Sequence, residues 1–163
     1  MTRSPLLFCR KILFCQSIAI VLLLSAAGCT TAKDTTMLID EIPLFSAGNP
    51  IGEGQYTEQK TALIQALEQH WQGKYRVVGQ RFFVYPAPAK WVILDKFVSN
   101  HVQDKMGGSP EYDEHGEPDI PGFTAVDVWK VGMLRPRYVG VTMAYQPLPD
   151  GSVLYAYLEV EKP

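Results

Sequence analysis

Beyond residue 29 the 163-residue chain contains no cysteine. That excludes disulfides, redox pairs, thiolate nucleophiles and thiolate metal ligands from everything that follows. A membrane-spanning helix is also missing from the sequence pattern. The apolar stretch 12–24 runs for about 13 residues and is interrupted by Gln16, short of the roughly 18–20 that a span needs. No Gly-x-Ser-x-Gly elbow, His-Glu-x-x-His pair or Cys/His arrangement occurs, so the common hydrolase signatures are absent. The glycine-bearing stretch 46–55 lacks the Gly-Lys-Ser/Thr ending of a phosphate-cradling loop. The sequence implies no cofactor and no nucleotide.

What is present begins at the N-terminus. Arg3, Arg10 and Lys11 precede the apolar stretch, which passes into Leu24-Ser25-Ala26-Ala27-Gly28-Cys29. Charge, then apolar residues, then small residues is the order of a secretory signal. With the cysteine directly after the small residues, the segment resembles the lipobox of bacterial lipoproteins, with Ala26 where the class usually has leucine. The resemblance covers only these first 29 residues. It implies that 1–28 is removed as a signal peptide and that Cys29 is lipidated as the first mature residue. In Gram-negative members an aspartate after the cysteine favours the inner membrane. Thr30 stands there instead, which implies an outer-membrane lipoprotein with its domain in the periplasm.

Residues 29–163 carry all 17 acidic side chains but only 12 of the 15 basic ones, a net charge of −5. On that average the mature protein has no electrostatic reason to bind nucleic acid or anionic headgroups. Its length fits one ordinary domain. Residues 29–55 read as lipidated cysteine, polar tether and N-terminal strap, and 56–163 as a single domain. Within the strap, residues 37–45 (MLIDEIPLF) are expected to lie across their own domain as an irregular strand. A docking segment captured by another envelope protein is the alternative.

Thr57 is placed to cap a helix that Gly73 stops, with Leu63, Ile64, Leu67 and Trp71 as its buried stripe. His70, beside that stripe, is expected at the surface. Residues 75–85 read as a strand with two faces of similar character, either covered on both sides or kinked near Gly79. A second helix is expected over 89–106, built on Trp91, Leu94, Val98 and Val102 and stopped by Gly107, Gly108 and Pro110, with His101 half-buried. Residues 111–121 (EYDEHGEPDIP) read as a solvated acidic loop. Asp113, Glu114, His115, Glu117 and Asp119 make it a weak candidate for a hard cation, without the EF-hand spacing. Three strands follow over 123–131, 135–145 and 152–161. Leu154, Ala156, Leu158 and Val160 are expected to face the helices together with Val139, Val141, Met143 and Tyr145.

The expected fold is therefore α+β: a two-layer domain in the order α-β-α-β-β-β, with an antiparallel sheet of about four strands and both helices on one face. The other face would carry Tyr155 and Tyr157 with Trp129 over small residues, a candidate surface for an envelope protein partner. The functional expectation is a non-enzymatic accessory lipoprotein, held to the membrane by lipid on Cys29. The alternatives are a small-ligand-binding or toxin-inhibiting lipoprotein and, further off, a hydrolase. Only Asp127 and the acidic segment offer carboxylates for the last, and neither has a partner at telling spacing.

Overall fold

The computed structural model describes residues 36–52, 54–115 and 122–163, and of residues 113–115 the backbone alone. Cys29 and the signal segment lie outside the described residues, as do Glu117 and Asp119. The described part belongs to one unit, Thr36–Pro163. A 3-10 turn at Leu38–Glu41 leads to β1 (Asn49–Pro50), α1 (Thr57–Trp71), β2 (Arg76–Tyr85), α2 (Trp91–Met106), β3 (Ser109–His115), β4 (Phe123–Val131), β5 (Arg137–Pro147) and β6 (Val153–Glu161). All strand pairs are antiparallel, in the order β1-β2-β6-β5-β4-β3.

The α+β class holds, and the details differ from the expectation in three ways. The sheet has six strands, not about four. One addition is the two-residue β1. The other is β3, formed from the acidic stretch expected to be a loop. Second, the helices lie on opposite faces. Leu63, Leu67 and Trp71 of α1 pack with Val126, Val128, Leu154, Ala156, Leu158 and Val160. Leu94, Val98 and Val102 of α2 pack with Trp129, Val139, Val141, Tyr155 and Tyr157. Successive side chains of a strand point to opposite faces, so these two clusters lie on either side of the sheet and the domain has three layers.

Third, the β5–β6 register is one residue away from the expected facing. Val141 pairs with Tyr157 and Met143 with Tyr155, while Gly140 lies opposite Leu158 and Thr142 opposite Ala156. Directly paired residues share a face, so Val139, Val141 and Met143 join the tyrosines. A one-residue slip exchanges the faces of a whole strand. Both faces of β5 and β6 are apolar, so hydrophobic pattern alone did not choose between the two registers. Gly140 is required by close approach: a Cβ there would come within 2.9 Å of the Asp127 carbonyl oxygen in β4.

Local signals explain the element ends. Thr57 is the first residue of α1 and not its cap; its hydroxyl donates to the Gly54 carbonyl at 3.0 Å. α2 ends where Gly107 takes φ 65 and the Gly108 N–H reaches back to the Val102 carbonyl at 2.9 Å, the glycine-terminated C-cap expected of that sequence. The ambiguity of β2 comes from a bulge between Val77 and Gly79. The extra residue inverts the alternation, so Val77 lies with Phe82 on the α1 side, while Phe83 and Tyr85 face the other way.

Residues 37–45 do cross their own domain, as a 3-10 turn and extended chain and not as a strand. Leu38, Ile39, Ile42 and Phe45 are buried in the same cluster as Tyr155 and Tyr157. If the strap is integral to the core, Phe45→Ala should lower the unfolding free energy by about 3–5 kcal/mol, as for other buried phenylalanines. Urea unfolding monitored by circular dichroism checks this; a loss below about 1 kcal/mol would mean the strap is only loosely attached.

Candidate functional site

The aromatic face proposed from sequence is assembled, and it is closed. β6 supplies Tyr155 and Tyr157, both 0% exposed, β4 supplies Trp129, and β2 supplies Phe83 and Tyr85. Phe83 stacks on Tyr155 at 5.1 Å between centroids, and Tyr157 lies 5.0 Å from Phe83 and 5.8 Å from Tyr155. Phe45 of the strap meets Tyr85 edge-on at 5.1 Å and Phe97 of α2 at 5.3 Å. The strap and α2 together occupy the place expected for a partner. Trp129, Tyr155 and Tyr157 are therefore core residues in this fold. The correction has a simple cause: β5 and β6 are apolar on both sides, and the second helix covers the side that the two-layer expectation left open.

Polar contacts fasten the strap at both ends. The Tyr157 hydroxyl donates to the Pro43 carbonyl at 3.1 Å. Arg81 donates to the Ile39 carbonyl at 3.2 Å and lies 3.6 Å from the Asp40 carboxylate. Its guanidinium also sits 5.4 Å from the centre of the Phe83 ring. At the N-terminal end the Leu38 N–H donates to Glu159 at 2.7 Å, and Arg137 donates to the Thr36 carbonyl at 3.3 Å. Space is tight beneath: a Cβ on Gly48 would fall 1.9 Å from the Tyr155 hydroxyl.

The other candidate groups do not converge on a catalytic centre. His70 is half-buried, not at the surface; it lies 3.0 Å from the Tyr112 hydroxyl and edge-on to Phe123. His101 is half-buried on α2. Asp127 is buried on β4, opposite Asp113 and Val141 in register. The acidic stretch is an edge strand over Ser109–His115, and Glu111 in it is paired with Lys162. The side chains of Asp113, Glu114 and His115 fall outside the described residues together with Glu117 and Asp119. Among the described residues no cluster of three His, Asp or Glu groups is placed to hold a metal.

Sequence reading missed the groove between α1 and β2. One part, about 310 Å³, is lined by Lys60, Ile64, Gln65, Gln80 and Phe82 among others. It continues past Ile64 and Gln80 to Val77, Val78 and Gly79, a further 180 Å³ or so. The Lys60 ammonium lies 5.7 Å from the centre of the Phe82 ring. Along this groove β2 is half-paired: among the described residues, β1 covers only Val84 and Phe83. The available signal was β2 itself, ten residues long beside a loop too glycine-rich to pair with all of it. No family model, no curated protein and no solved structure matches the chain.

Burial gives the closed aromatic face a pH signature. Desolvation pushes the Tyr157 hydroxyl up to about 12, against a smaller lowering by its hydrogen bonds, and it raises Tyr155 further. A phenol held protonated in the fold and ionised on unfolding gives stability that is complete below its unfolded value near 10. That stability is lost as pH rises from there toward the folded value. Each such phenol contributes a slope of about 1.4 kcal/mol per pH unit. Tyr157→Phe should make the alkaline limb of the stability–pH curve, measured by urea unfolding above pH ~10, shallower by about that amount. An unchanged slope would show that Tyr157 ionises within the folded protein.

Proposed function

We propose that the protein is an outer-membrane lipoprotein whose periplasmic domain is a non-enzymatic accessory module, and that it captures an extended segment of another envelope protein along β2. The observation that carries this reading is the half-paired strand beside a groove of mixed lining, with Ile64 and Phe82 set among Thr57, Lys60, Thr61, Gln65 and Gln80. Residues 79–82 have β6 on one side and, among the described residues, no strand on the other. An added strand would gain main-chain hydrogen bonds there, and its side chains would meet Phe82 and Ile64. Phe82 is half-buried, and Val78 is 50% exposed.

The same edge carries features that keep it from pairing indiscriminately. The bulge at Val77–Gly79 bends one end, and the Glu68 carboxylate accepts from the Val77 N–H at 3.3 Å. Both are common ways of blunting an exposed strand. Capture would therefore use the short stretch between bulge and β1, which favours a specific, short guest. The lipid-anchor part of the reading rests on the resemblance of 24–29 to a lipobox. The sequence between Cys29 and the strap is polar, as a tether would be.

A photo-crosslinking residue in place of Gln80 in the full-length protein tests the reading in intact cells. The expected result is one adduct, mapped by mass spectrometry to an extended segment of an envelope protein. The same probe at exposed Gln103 on α2 should give none. Equal, diffuse crosslinking at both positions would overturn the proposal.

A further inference from the structure

The β4–β5 turn carries the most exposed apolar side chains described in the protein, Met133 at 94% and Leu134 at 98%. They sit side by side in a turn that also carries Arg135, between arms that supply Lys130 and Arg137. From residue 128 to residue 149 the chain has no acidic side chain. The average charge of −5 therefore conceals a local inversion: an apolar tip flanked by Lys130 and Arg135, with Arg137 behind them paired to Glu159.

The position of this hairpin gives it meaning. Arg137, which follows the turn and pairs with Val131, donates to the Thr36 carbonyl, and the Leu38 N–H is held by Glu159 on the neighbouring strand. Thr36, the first described residue on the side of Cys29, therefore lies beside the turn end of the same hairpin. Seven residue steps separate Thr36 from Cys29, which span at most roughly 25 Å when extended. β5 runs 11 residues from Arg137 to Pro147, roughly 35 Å. With a lipid on Cys29, the hairpin end lies within tether reach of the bilayer, and the Asp150 turn lies a strand length farther from Thr36.

We propose that the β4–β5 hairpin is a membrane-docking element: Met133 and Leu134 enter the interfacial region of the bilayer while Lys130 and Arg135 contact anionic phospholipid headgroups. This rests on the lipoprotein reading for its geometry but goes beyond it. Lipid on Cys29 fixes attachment; the hairpin fixes orientation. Apolar side chains buried at the interface and basic residues over anionic lipid are separately favourable, and together they hold a surface more firmly than either alone. Orientation would also present the β2 groove sideways along the membrane, within reach of a neighbouring envelope protein.

The test reconstitutes the full-length lipidated protein into phosphatidylethanolamine vesicles containing phosphatidylglycerol. An environment-sensitive fluorophore is placed on Leu134→Cys and, separately, on Asp150→Cys. The expected result is blue-shifted emission at 134 that brominated acyl chains quench, and water-like, unquenched emission at 150. Water-like emission at both positions would overturn the proposal. A second arm uses the unlipidated Cys29→Ala protein in vesicle sedimentation. Met133→Asp with Leu134→Asp should cut its binding about tenfold or more, and Lys130→Gln with Arg135→Gln should remove the preference for anionic vesicles. Unchanged binding in both variants would overturn the proposal. If mass spectrometry finds no lipid on Cys29, the lipoprotein reading falls, and the sedimentation arm alone decides for or against the hairpin. Crosslinking of Leu134 to a protein instead of lipid in intact cells would assign the tip to a protein partner and reject the membrane.

Discussion

The sheet buries both of its faces, and the side formed by Phe83, Tyr155 and Tyr157 has more aromatic surface than one helix can cover. α2 takes the part over Trp129, Val139 and Val141. The rest is closed by Ile39, Ile42 and Phe45, from a segment with almost no regular structure of its own. Such a segment gains little from local hydrogen bonding, so its order must come from the apolar area it removes from water. The few polar contacts at Pro43, Ile39 and Thr36 then fix where it lies rather than whether it binds. The aromatic face and the strap each require the other.

That dependence sets what remains available for function. With the aromatic face closed, the half-paired β2 edge, the β3 edge and the ends of the sheet are among the described surfaces open to a partner. The two ends differ in character. Strand ends at Arg76, Arg137 and Val131 lie with Thr36 and Leu38 at one end, where Arg76 pairs with Glu161 and Arg137 with Glu159. The other end has the Asp150 turn, whose carboxylate accepts from the Ser152 N–H at 3.0 Å. The charges at the first end are thus largely paired, and Lys130 and Arg135 are the basic groups at the adjoining β4–β5 turn.

Much of the fold was legible where a segment had one dry face and clear stops. α1 and α2 follow from Leu63, Leu67 and Trp71, and from Leu94, Val98 and Val102, each ended by glycine. Legibility failed where the physics is two-sided. β5 and β6 offered two equally apolar registers, and the wrong one placed Tyr155 and Tyr157 on an open surface. The bulge at Val77–Gly79 scrambled the alternation of β2. β3 was hidden because Glu111, Asp113 and Glu114 are poor strand formers in isolation; its pairing with β4 and the contacts of Tyr112 outweigh that preference. The hairpin tip, Gly132-Met133-Leu134-Arg135, was not singled out from sequence, and the structure sets Thr36 beside it through Arg137.

Amide hydrogen exchange measured residue by residue tests most directly whether strap and sheet are one cooperative unit. The N–H groups of Leu38 and Ile42, bonded to Glu159 and to the Ile39 carbonyl, report on the strap; those of Val141 and Tyr157 report on the central sheet. The account predicts opening free energies for the strap within about 1 kcal/mol of the sheet, because neither stays folded without the other. Strap amides that exchange several kcal/mol more easily, while the sheet stays protected, would contradict it.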